Sequence, residues 1–170
     1  AIIPEAYGGL GLSAQTYARL IETIAAEWMS LSGIINSHLI MASAVMRHGT
    51  SEQKEYFLPR FARAELRGGI ALTEPDCGTD LQAIRARAQR EGDQYLVNGT
   101  KTWITNGLRG NCFALLVKTD PKAEPRHRGM SLFIAEKGPG FSMPRKLSKL
   151  GYRSIDTVEM LFADYRIPAD

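Results

Sequence analysis

The feature that most constrains this chain is a change of hydrophobic period at Gly68-Gly69. Before it, Tyr17, Leu20, Ile21, Ile24 and Trp28, then Leu31, Ile34, Ile35, Leu39, Ala42, Val45 and Met46, recur every three or four positions. That spacing puts each set on one helical face. After it come short apolar runs broken by turn residues, the pattern of compact β structure. Helices segregated before strands define an α+β chain, an N-terminal α-helical segment followed by a small antiparallel β-barrel-like domain. The expected division is residues 1–68 and 69–170.

Local punctuation refines this. Ser13 is placed to cap the first helix, and Gly49 to end the second in a left-handed conformation. Thr50-Ser51-Glu52-Gln53 fits a capping box, opening a short helix to Pro59 with a further turn through Phe61 and Ala62. Expected strands are Gly69–Leu72, Ile84–Arg90, Tyr95–Val97, Cys112–Lys118, Ser131–Glu136, Phe141–Lys146 and Thr157–Phe162. Glu91-Gly92-Asp93, Asn98-Gly99 and Gly138-Pro139-Gly140 read as turns, Asn98-Gly99 as a hairpin. Thr119–Arg128 is a polar loop. The chain opens inside what reads as a loop and stops without a closing element, so it reads as a fragment whose helical faces need further cover.

Composition narrows the function classes. With 44% apolar and 23% charged residues among 170, the chain can build a core and is not disordered. No run approaches 18 apolar residues, so no membrane span is expected. Cys77 and Cys112 lack C-x-x-C spacing, which argues against a disulfide framework or a cysteine-rich metal site and suits a reducing compartment. Six basic and six acidic residues occupy 1–68, against fifteen and twelve beyond, for a net charge of +3. That excess is too mild for a nucleic-acid footprint.

Two segments could carry chemistry. In Ala71–Asp80 a strand runs into a loop with Pro75, Gly78 and the hydroxyls of Thr73 and Thr79. Such a loop can bind an anion or cofactor through freed backbone N–H groups, or can be a Pro- and Asx-stabilised turn. In Asn98–Gly107, Trp103 and Ile104 fall on opposite faces of a strand. Trp103 flanked by threonines can wall a flat aromatic ligand, or can cover the core. His38 reads as a buried, hydrogen-bonded histidine, and His48 as a helix-terminal one. Arg126-His127-Arg128 and Arg145-Lys146 with Lys149 are basic clusters that could meet the phosphates of an anionic ligand or be solvated loops, the latter especially for Arg145 and Lys146.

Taken together, Thr73-Glu74-Pro75, Gly78-Thr79-Asp80 and Gly99-x-Lys101-x-Trp103-Ile104-Thr105-Asn106 resemble the flavin-binding middle domain of the acyl-CoA dehydrogenases. Ile3-Pro4-Glu5-Ala6-Tyr7-Gly8-Gly9-Leu10-Gly11 looks like a loop of that family's N-terminal helical domain. Lys149-Leu150-Gly151-Tyr152-Arg153 is similar to the segment closing its β domain. The resemblance covers essentially the whole chain and implies an FAD-dependent α,β-desaturation of an acyl-CoA thioester, with electrons passed to an electron-transfer flavoprotein. An acyl-CoA oxidase or a catalytically silent acyl-CoA-binding relative is the alternative. It implies that Leu72 and Thr73 meet the flavin ring and that Gly78 and Thr79 approach the pyrophosphate, Thr79 also lying near the pantetheine of the substrate. Trp103, Ile104 and Thr105 would flank the ring. Thr79 stands where serine is commoner, and Cys77 where a small residue is usual. The family's base, a glutamate on a C-terminal helical domain, would lie beyond Asp170; no catalytic residue and no metal ligand is assigned, and Glu74 is given a structural role. A homodimer or homotetramer in the bacterial cytoplasm or mitochondrial matrix is implied.

Overall fold

The computed structural model describes residues 1–169, so Asp170, the last residue of the expected β domain, lies outside the described residues. Helix α1 (Ala14–His48) begins at Ser13, whose side chain accepts the Thr16 N–H. It holds both predicted helical runs and is kinked at Trp28, where φ is −150° and ψ 87°. Helix α2 (Ser51–Ala62) opens with the capping box, Thr50 and Gln53 each satisfying the other's backbone N–H. It runs on through Pro59. Gly49 is not left-handed: at φ −66° and ψ 149° it is extended, because the chain passes straight into the extended Thr50 cap of the next helix.

Seven strands follow among the described residues: β1 (Gly68–Ala71), β2 (Arg87–Glu91), β3 (Gln94–Thr105), β4 (Cys112–Lys118), β5 (Met130–Glu136), β6 (Phe141–Lys146) and β7 (Thr157–Pro168). They form one sheet in the order β1-β4-β2-β3-β7-β6, with β5 on β4. The sheet is mixed rather than wholly antiparallel. β1 pairs with β4 in parallel, Gly68 opposite Cys112, and β2 touches β4 in parallel at Arg87 and Lys118.

Asn98-Gly99 is not a hairpin turn. β3 runs through it as one strand of 12 residues against β7, with a register shift between Val97 and Gly99. Gly99 takes φ +150°, and a Cβ there would come within 2.5 Å of the Ala86 Cβ. The position therefore demands glycine for its positive φ and the close approach of Ala86, not for a turn; the extra residue of the bulge lies on β7, where Asp164 takes φ +50°. The true β2–β3 turn lies at Gly92, as expected from Glu91-Gly92-Asp93.

Alternation along β4 explains how two cores share one strand. Phe113, Leu115 and Val117 face a cluster inside the curled sheet with Val97, Ile104, Met160 and Phe162. Cys112 and Ala114 face the other way, onto Ile3, Leu39, Met41, Leu58 and Phe61. A strand buried on both faces reads as a continuous apolar run, as Cys112–Val117 does. One 18-residue window of α1 has a mean hydropathy of 1.4, so by length and composition that helix could cross a membrane. Counting uninterrupted apolar residues misses this because isolated polar residues break the run. Here α1 buries Leu39, Met41, Ala42 and Val45, as a core helix does.

Candidate functional site

The site is built where β1 ends and β3 passes beside it. Thr102 N–H donates to the Thr73 carbonyl at 2.9 Å, so the first chemical segment lies directly along the second. Glu74 and Cys77 exchange backbone hydrogen bonds of 2.9 and 3.2 Å, folding Pro75 and Asp76 into a tight turn. Gly78 and Thr79 emerge exposed from it. Their backbone N–H groups donate to nothing among the described residues, and neither do the hydroxyls of Thr73, Thr79 and Thr105.

A second bulge, between Lys101 and Ile104, sets what faces outward. By simple alternation Val97, Gly99, Lys101 and Trp103 would share one face. Val97 and Lys101 are buried. Trp103 instead takes φ +60° and turns out, 60% exposed, while Ile104 drops into the core at 2%. A left-handed tryptophan costs about 1–2 kcal/mol. Such strain, with a large aromatic in solvent, is characteristic of a ligand-facing position. Ile104 can meet a ligand only through its backbone.

Beneath the site lies a buried ion pair. Lys101 Nζ donates to Glu74 Oε1 at 2.7 Å and to the Leu72 carbonyl at 2.9 Å. Glu74 also accepts from the backbone of Arg85 (2.6 Å) and Ala86 (3.0 Å). The ammonium is fully buried and the carboxylate nearly so. Desolvation pushes the Lys101 pKa below its ordinary value, opposed by the bonded Glu74. Glu74 accepts three hydrogen bonds, two at Oε1 and one at Oε2, and is held as an anchor here. Lys101 was not anticipated as part of the site. Parity with Val97 would have signalled it only if β3 were read as one strand through Asn98-Gly99, which the expected turn there prevented.

The other candidates sit elsewhere. His38 Nε2 bonds the Phe61 carbonyl at 3.0 Å, and desolvation lowers its pKa against that bond. His48 is the last residue of α1. Arg145 is paired with Glu159, and Lys149 donates to Ile155 and Thr157. Arg126, His127 and Arg128 are exposed on a short 3₁₀ turn. Two cavities, about 350 Å³ between α1, α2 and the 154–156 loop and about 1180 Å³ between α2, β5 and β7, are lined by none of the predicted site residues. No cluster of metal-ligating side chains occurs among the described residues.

A flat cofactor fits this construction. The exposed Trp103 face, unpartnered hydroxyls and free loop N–H groups converge on the same two segments. A Cβ added at Gly78 would meet nothing closer than Thr73 Cγ2 at 4.0 Å, so the fold itself leaves that approach open.

Comparison with known proteins gives the class to which this fold and site belong. Residues 1–65 match the acyl-CoA dehydrogenase N-terminal domain and residues 69–165 the acyl-CoA dehydrogenase middle domain. The chain belongs to the acyl-CoA dehydrogenase family. It is 39% identical over 169 residues to mitochondrial isovaleryl-CoA dehydrogenase of Pongo abelii, covering 98% of this chain and 40% of that protein. Among solved structures it is similar to an acyl-CoA dehydrogenase from Geobacillus kaustophilus (TM-score 0.91, 40% identity, 99% of this chain and 44% of that one). It is also similar to one from Bacillus anthracis complexed with FAD (TM-score 0.90, 29% identity, 99% and 28%). The chain thus spans well under half the length of these relatives.

Proposed function

We propose that this chain is the N-terminal and flavin-binding portion of an FAD-dependent acyl-CoA dehydrogenase that desaturates an acyl-CoA thioester between its α and β carbons. The observation that carries the reading is the lateral joining of two segments, Leu72–Thr79 and Thr102–Thr105, with their polar groups unspent and Trp103 held outward beside them. FAD, when bound, supplies acceptance of the β-hydrogen as hydride, chemistry no side chain here can perform.

The chain's own residues bind and orient. Leu72 and Thr73 hold the ring by backbone and by the Thr73 hydroxyl. Gly78 and Thr79 offer N–H donors to the pyrophosphate, a use of loop amides that needs close backbone approach. Thr79 also meets the pantetheine arm of the substrate. Trp103 and Thr105 flank the ring, joined by the Ile104 backbone. Removing the α-proton requires a carboxylate base, and the locked Glu74 is unsuited to it. That base belongs to a C-terminal helical domain, as in the family. The electron acceptor is an electron-transfer flavoprotein, the assembly a homodimer or homotetramer, and the compartment a reducing one, cytoplasm or mitochondrial matrix.

The test is anaerobic incubation of the protein with its C-terminal domain, FAD and a panel of acyl-CoAs. Bleaching of the flavin band that reverses on adding electron-transfer flavoprotein is the expected result. Rapid reoxidation by oxygen instead would make it an oxidase. Residues 1–170 alone should lose at least about 10²–10⁴-fold in turnover for want of a base. Bleaching by that piece at the full rate would return Glu74 to candidacy.

A further inference from the structure

The Glu74–Lys101 pair is more than the fold requires. An ion pair buried this deeply is, on general grounds, no better for stability than apolar residues of equal volume. Glu74 could be satisfied by the Arg85 and Ala86 N–H groups alone. What the lysine adds is its bond to the Leu72 carbonyl. That carbonyl and the Thr73 N–H are the two ends of one peptide unit. The carbonyl holds a cation, while the N–H donates to no group among the described residues.

We propose that Lys101 is a positioning residue for the flavin: anchored by Glu74, it polarises the Leu72–Thr73 peptide and so strengthens the Thr73 N–H as a donor to the electronegative edge of the bound ring. The inference rests on the flavin reading above. A charge-assisted hydrogen bond at one end of a peptide reinforces the bond made at the other. A stronger donor stabilises the electron-rich reduced ring more than the oxidised one. The pair therefore biases the cofactor toward accepting electrons, while Thr102 N–H on the Thr73 carbonyl keeps the donor in place.

The experiment compares the complete holoenzyme with two charge-free pairs, Lys101→Met with Glu74→Gln and Lys101→Gln with Glu74→Gln, and with Lys101→Arg. In both charge-free pairs the preference for reduced over oxidised flavin should fall about tenfold, read as a drop of about 30 mV in the two-electron potential. Lys101→Arg, which keeps the cation, should retain the potential. A merely structural pair would lower the melting temperature and leave the potential of bound flavin where it was, and that result overturns the proposal. A second measurement needs no variant: in labelled unaltered protein the Thr73 amide proton should move downfield when FAD binds, and an unmoved resonance also overturns it. Absence of FAD binding by the complete unaltered protein would instead remove the flavin reading itself, and this inference with it.

Discussion

Single residues separate what the fold needs from what the ligand needs. At Gly78 no left-handed φ and no close neighbour require glycine. Gly78→Ala should leave urea stability unchanged or raise it by about 0.4–1 kcal/mol, while FAD retention drops on gel filtration. Trp103 behaves in the opposite sense. Replacing it by glycine relieves a left-handed backbone, offset in part by glycine's greater freedom when unfolded, so Trp103→Gly should raise the unfolding free energy of the flavin-free protein by up to about 1 kcal/mol and yet weaken FAD binding. Loss of stability in that variant would mark a core tryptophan. His38 sets a pH limit. Desolvation holds its pKa below 6.5 in the folded chain, against the Phe61 carbonyl, with Arg67 adding repulsion. The unfolded chain then binds the proton more tightly, so stability rises with pH through this window and is lost as pH falls below about 6.5. Urea midpoints between pH 7.5 and 5 should show that loss, and His38→Gln should flatten it.

Among the elements, the most legible were those decided by neighbours in sequence. The Thr50–Gln53 box is such a case, and Thr50→Ala should cost about 1 kcal/mol by thermal or urea melting. Strands β4 and β6 were predicted to the residue, since apolar runs and flanking turns mark them. β3 was read as ending at Val97, with a separate strand after a turn, because Asn-Gly is the strongest local hairpin signal. What overrides it is pairing with β7, more than 60 residues away, together with the packing of Gly99 on Ala86. β2 begins three residues later than expected: Ile84 and Ala86 alternate inward as a strand would, but the ladder with β3 starts only at Arg87. The two segments of the proposed site stood out as motifs. Their joint did not, because it depends on a lysine whose inward direction only the register of β3 reveals.

At the scale of the whole molecule, the helices and the sheet are not independent bodies. Asn106, at the end of the second segment, donates to both Ile34 of α1 and Gly68 of β1. The same residue thus ties the helical part to the strand that leads into the site. Asn106→Ala leaves two carbonyls without their donor, at about 1–3 kcal/mol for buried groups. It should lower the melting temperature and loosen FAD together, unlike Gly78→Ala, which separates the two; thermal melts with and without FAD would check this. The parallel β1–β4 pairing is the part of the architecture least available from sequence. Nothing local to Gly68–Ala71 signals which later strand it will meet.

The double-faced strand β4 has a consequence for the order of synthesis. Residues 14–62 leave the ribosome as helices whose apolar faces include Leu39, Met41 and Phe61. Their covering partners, Cys112 and Ala114, are encoded some fifty residues later. At about 5–20 residues per second that is an interval of roughly 3–10 s in which the nascent helices carry an open greasy surface. β4 closes it from one side and seeds the sheet core from the other in the same event. A chain arrested before residue 112 should therefore be bound by chaperones and cut readily by protease; just past 118 the helical face is covered but the inner face of β4 still waits for Met160 and Phe162, so release is expected only once β7 has emerged.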